Sequence, residues 1–157
     1  MIEDRLRALG FLLPEPKVPN FQYVPVVVHQ SVAYVSGQLP WDDGRLPFVG
    51  HVGRDVDVEA ARRCARLCVV QALAGLKGVL GSLEQIDRIL KVTGFVASAP
   101  DFHDQPKVVD AASQLLVDLL GEAGRHARSA IGVASLPRQA PVEIEFIVAV
   151  RPTPSLH

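Results

Sequence analysis

Val142-Glu143-Ile144-Glu145-Phe146-Ile147-Val148-Ala149-Val150, residues 142–150, is the stretch that decides the fold class. Its even-numbered positions are all apolar, the period-two pattern of a strand with one buried face. The other face starts with two carboxylates, Glu143 and Glu145, and then turns apolar at Ile147 and Ala149. Such a strand needs cover on both sides.

The neighbouring segments say what the covers are. Residues 127–134 and 86–98 read as strands, the latter through Ile89, Val92, Phe95 and Val96. Asp55, Asp57 and Glu59 place negative charge where a helix begins. That helix runs to Leu80 and Gly81 closes it; its stripe of Ala61, Cys64, Ala65, Cys68 and Ala72 is small enough to lie close on a sheet. A second helix spans 104–121, with Pro106 in its first turn, where a missing N–H costs nothing. Upstream, 23–28 and 31–38 form a hairpin around His29-Gln30, and Pro40 to Gly53 is a loop. A short helix over 2–9 and a connector carrying Pro14, Pro16 and Pro19 precede it, and Pro152 and Pro154 mark a loose tail over 151–157. The order is ββαβαββ after a short N-terminal helix. This is a single α+β domain over residues 1–157, two layers thick. Two helices cover one sheet face only, so the other apolar face calls for oligomerisation.

Composition bounds the function. The 157 residues are 48% hydrophobic and 21% charged, with 16 basic against 17 acidic side chains and a formal net charge of -1. No basic run exists to attract nucleic acid or an anionic membrane. The N-terminus carries acids and is no signal peptide, and the apolar stretch 67–80 is too short and interrupted to span a bilayer. A cytoplasmic protein is expected. Cys64 and Cys68 read as small buried side chains. His29, His51, His103, His126 and His157 show no metal-ligand spacing, so no metal is expected and the histidines read as surface or structural residues.

Alternation in 127–134 puts Arg128 on one face with Ala130, Gly132 and Ala134. A guanidinium beside small residues has room to pair bidentately with a carboxylate, although a solvated surface arginine shows the same pattern. Ser36-Gly37-Gln38 at a strand end can offer N–H groups and a hydroxyl to an anion, or serve as turn chemistry. If 135–141 were a tight hairpin loop, Arg128 would face the far end of the last strand rather than Glu143. One shared site therefore requires a crossover connection or a subunit boundary.

These segments resemble the Rid family of imine deaminases, also called the YjgF family, from about Tyr23 to Val150. The likeness rests on Arg128-Ser129, then Leu136-Pro137, then Val142-Glu143-Ile144-Glu145, and on Tyr34-Val35-Ser36-Gly37-Gln38-Leu39-Pro40. Asp104-Gln105-Pro106-Lys107 and Gly124-Arg125-His126-Ala127-Arg128 look like a longer subgroup with an N-terminal extension. The resemblance implies a chorismate-mutase-like fold, a homotrimer with clefts between subunits, and cofactor-independent hydrolysis of small 2-imino acids to 2-keto acids and ammonia. Arg128 would clamp the carboxylate and Glu143 would position or activate water. Tyr23, Ser36, Gly37 and Ala130 would line the pocket. Two positions depart from the family: Pro100 stands where Asn is frequent, and Ala130 where Cys is frequent. The proline removes a polar side chain, which favours, as an alternative, a non-catalytic binder of keto acids. An endoribonuclease, a label attached to parts of the family, fits neutral charge poorly.

Overall fold

In the computed structural model residues 1–152 are described. They form α1 (Ile2–Ala8), β1 (Val26–His29), β2 (Val32–Gln38), α2 (Val58–Leu80), β3 (Ile86–Ala97), α3 (Gln105–Leu120), β4 (Ala127–Val133) and β5 (Val142–Val150). The ββαβαββ order after a short helix is as the pattern predicts. The tail expected at 151–157 lies, from 153 on, outside the described residues. No helix among the described residues is long and apolar enough to cross a membrane.

The strands make one sheet in the order β1-β2-β5-β3-β4. β5 is central and antiparallel to both β2 and β3, whereas β4 runs parallel to β3 at the edge. The chain therefore crosses twice over one face, through α2 between β2 and β3 and through α3 between β3 and β4. α2 packs on β1, β2 and β5, and α3 on β3 and β4. The even-numbered residues of β5 from Val142 to Val148 are buried beneath this helical layer. Asp57 starts α2 by accepting a hydrogen bond from Ala60 N at 2.8 Å.

The opposite face has no helix. Val27, Tyr34 and Ile131 stand there about half exposed, at 51%, 49% and 46%. That is the uncovered apolar face the sequence leaves without a partner.

Three local expectations are corrected. The hairpin turn is Gln30-Ser31 rather than His29-Gln30, since His29 pairs with Val32 and Gln30 takes the left-handed φ of 55°. The first strand begins at Val26 rather than at Tyr23. α2 begins at Val58, within the acidic stretch expected to open it, and the Asp55 carboxylate is engaged by His51 N at 2.8 Å and by the Arg54 guanidinium. The room beside Arg128 is not empty: Ala130 packs on the core, and a Cβ on Gly132 would lie 2.7 Å from the Gln105 amide nitrogen. On this face the small residues let α3 pack close.

α1 is anchored to the body of the domain. Leu6 is 1% exposed, Arg5 donates to Leu119 O at 2.8 Å, Ile2 N donates to Glu84 at 2.9 Å, and Lys77 pairs with Glu3 at 2.9 Å. From there the connector descends along α2, with Phe11 and Leu13 on the core and Pro16 over Gly78.

Candidate active site

The connector ends as the wall of a groove. Lys17 to Phe21, Tyr23, Gly37, Gln38, Trp41, Pro137, Arg138 and Glu143 enclose about 390 Å³. Glu143 enters from β5 because its alternation partners, Val142 and Ile144, are buried under α2 and turn it to the other face. Gly37 is what lets it lie there. β2 carries one extra residue against β5 between Val35 and Gln38, so a bulge falls at Ser36-Gly37. A Cβ on Gly37 would run into the Glu143 carboxylate, with its Cδ only 3.0 Å away. Burial raises the Glu143 pKa above its ordinary value, and the nearby charge of Glu145 adds to this. A half-buried carboxylate tuned upward in a cleft is suited to taking and returning a proton.

Trp41, the single tryptophan, forms part of the wall. Lys17 Nζ lies 3.5 Å from the centre of its ring, and the Arg138 guanidinium lies 5.5 Å from it. Desolvation and the charge of Arg138 lower the Lys17 pKa. None of these three residues stands out in the sequence as a site residue. The distance in sequence between 17, 41 and 138 hides their meeting.

Ser36 stands beside the groove rather than in it. Its hydroxyl donates to Val24 O at 2.8 Å, and its backbone N–H donates to Pro25 O at 2.9 Å. It fastens the segment between Tyr23 and β1 and also lines a neighbouring hollow of about 300 Å³ with Val27, Tyr34, Lys91, Thr93 and Glu145. The hydroxyl and N–H that an anion could have used are engaged by the fold.

Arg128 is elsewhere. Its side chain points to the helical face, where Nη1 donates to Asp110 Oδ1 and to Ser113 Oγ, both at 3.1 Å. Ala130 shares that face. Among the described residues Nε and Nη2 have no hydrogen-bond partner, so one bidentate edge of the guanidinium stays available. Arg128 pairs with Val92 and Glu143 with Phe95, on opposite sides of β3. Three residue positions along a strand are about 10 Å. Within one chain Tyr23, Gly37 and Glu143 meet; Arg128 and Ala130 form a separate half on the other sheet face.

The Arg128 half also holds His126, which its spacing alone marks as a surface or structural residue. His126 Nε2 lies 2.9 Å from Ser113 Oγ, and Nδ1 lies 2.6 Å from Gly124 O. A signal did exist, because residue 126 shares the period-two face of Arg128. Cys64 and Cys68 are buried free thiols, and burial pushes Cys64 up to about 12. They are core residues, not nucleophiles. Among the described residues no group of three or more His, Cys, Asp or Glu side chains is placed to hold a metal.

Comparison with known proteins now places the chain. Residues 3–147 match the family described as "YjgF/chorismate mutase-like, putative endoribonuclease". Protein TCP17 of Trypanosoma cruzi is 38% identical over 148 residues, covering 94% of this chain and 92% of its own. A 2-iminobutanoate/2-iminopropanoate deaminase of Salmonella typhimurium is 32% identical over 129 residues, covering 82% and 88%. A crystal structure of an Agrobacterium tumefaciens protein of unknown function superposes with a TM-score of 0.91 at 50% identity, over 96% of this chain and 92% of that one. On these matches the chain belongs to the YjgF/chorismate mutase-like family.

Proposed function

We propose that the protein hydrolyses small 2-imino acids, of the 2-iminopropanoate and 2-iminobutanoate type, to 2-keto acids and ammonia. The observation that carries this reading is the Glu143 carboxylate, raised in pKa and seated over Gly37 in a groove walled by Tyr23 and Trp41. The site is completed between copies of the chain. Arg128 and Ala130 of one copy face the groove of the next, in a homotrimer that covers the open sheet face.

The chemistry asks little of the protein. A protonated imine is already electrophilic at C2. Arg128 holds the carboxylate through its Nε–Nη2 edge and fixes where C2 lies. Glu143 accepts a proton from water as the oxygen bonds to C2, giving a tetrahedral carbinolamine. The amine nitrogen then takes up that proton, and the C–N bond breaks as Glu143 takes the hydroxyl proton and the C–O bond becomes the ketone. Ammonia leaves and accepts this last proton from Glu143 as ammonium, which returns the carboxylate to its starting form. By the family resemblance, imino acids of this kind are released by pyridoxal-phosphate enzymes.

A second reading, a non-catalytic binder of keto acids, draws on Pro100. Phe102 N donates to Ala99 O at 3.0 Å, closing a turn in which Pro100 follows the first residue, a position its fixed φ suits. Proline there serves the turn and provides no polar side chain to a ligand. The endoribonuclease description of the family finds no basic stripe here, at a net charge of -1.

Generating 2-iminopropanoate or 2-iminobutanoate in situ and trapping the residual imine with semicarbazide separates the readings. The expected result is less trapped imine with protein than without. Unchanged trapping for several imino acids, with retained keto-acid binding, leaves the binder.

A further inference from the structure

The hydrogen bonds behind Arg128 run in one direction. Gly124 O can only accept, so His126 Nδ1, 2.6 Å away, carries the hydrogen. In the neutral ring Nε2 is then an acceptor, and the Ser113 hydroxyl 2.9 Å away donates to it. That sets the hydroxyl rotor and leaves its lone pairs for Arg128 Nη1 at 3.1 Å. Asp110 holds the same nitrogen at 3.1 Å. The whole chain of contacts ends on Nη1, and the Nε–Nη2 edge is left over.

We propose that Ser113 and His126 are positioning residues for the guanidinium: they pin Nη1 so that the free Nε–Nη2 edge of Arg128 meets a ligand carboxylate. This rests on the carboxylate-clamp reading of Arg128. A guanidinium on a flexible stem otherwise samples many rotamers, and a fork aimed in advance loses less freedom on binding.

The arrangement depends on a neutral His126. Burial lowers its pKa from the ordinary 6.5, Arg128 lowers it further, and the Gly124 bond and Asp110 oppose this. The charged groups around it are Asp110 from α3 and Arg128 from β4. Arg125 next in sequence pairs with Glu122, and its carbonyl accepts from Arg88 of β3. When His126 takes a proton, Nε2 becomes a donor, the Ser113 hydroxyl must turn away, and a like charge stands beside Arg128.

The test is calorimetric binding of 2-oxobutanoate, the product keto acid, across pH 5 to 8, with KM and kcat for 2-iminobutanoate alongside. Ser113→Ala and His126→Phe should each weaken binding and raise KM about tenfold, the scale of a lost hydrogen bond to a charged group, with a smaller change in kcat. His126→Gln, whose amide oxygen can still accept from Ser113, should bind like the parent and lose the weakening that the parent shows at acid pH. Melting temperatures identify any variant that merely unfolds, and the glutamine rescue then carries the test. If Arg128→Ala abolishes binding while Ser113→Ala and His126→Phe bind like the parent, the positioning role is overturned and the clamp stands. If His126→Gln is as weak as His126→Phe, the positioning role is likewise overturned. If Arg128→Ala binds like the parent, the clamp itself falls.

Discussion

Arg128 and Glu143 lie on opposite faces of one sheet, with β3 between their strands and their registers three residues apart. A site that uses both takes one from each of two copies. In a cyclic trimer built this way, Arg128→Ala and Glu143→Gln proteins are each inactive. Every mixed trimer restores one junction with both native residues. Random mixing should then recover about a quarter of the parental activity, from three-quarters mixed trimers with one intact site in three. The measurement is deaminase activity after co-expression or after unfolding and refolding together. Activity no greater than the sum of the single variants refutes the shared site.

Gly37→Ala probes the groove directly. The new methyl group competes with the Glu143 carboxylate for the same space, so one of them moves. Overpacking of this kind costs about 1–3 kcal/mol of stability. The expected outcome is a modest drop in denaturation midpoint with a far larger drop in kcat/KM. Parental kcat/KM would show that Glu143 needs no support from the bulge.

Glu143 also makes a pH prediction with a definite sign. Its folded pKa is raised above the ordinary 4.5 by burial and then by Glu145. The folded protein therefore binds the proton more tightly than the unfolded chain, and stability falls as pH rises from about 4.5 through the folded value. Glu143→Gln removes that loss. Its melting temperature should exceed the parent's at pH 7, and the gap should close below pH 4.5. Glu145→Gln should move the acid limb of the kcat profile to lower pH, because one of the two causes of the rise is gone. A limb that stays in place would assign it to another group.

Leu6 tests whether α1 belongs to the fold. It is 1% exposed, within the common core. Leu6→Ala should cost about 2–5 kcal/mol in chemical denaturation. A change under about 0.5 kcal/mol, the range of surface substitutions, would make α1 an appendage.

The hairpin shows where a local reading reaches its limit. The two strands are legible from their β-branched residues, yet the turn falls one residue later than their pattern suggests. No Asn-Gly or Asp-Gly marks it, and Gln30 enters the left-handed region at φ 55° because the β1–β2 register demands it. The small residues after Arg128 signal close approach, and within one chain what approaches Gly132 is Gln105 of α3. His126 carried a weak signal through its shared face with Arg128. Ser113, Trp41, Lys17 and Arg138 carried none, since each acquires its role from residues distant in the chain.

Order along the chain, element types, the two-faced character of β5 and the signature linking Arg128 to Glu143 were in the sequence itself, because periodicity and turn chemistry are local. Tertiary structure alone decided that β5 lies between β2 and β3, that Arg128 and Glu143 face opposite ways, and that the N-terminal connector walls the groove. These depend on which strands pair and which surfaces are buried. That choice is made by the packing of the whole chain, not by any one segment.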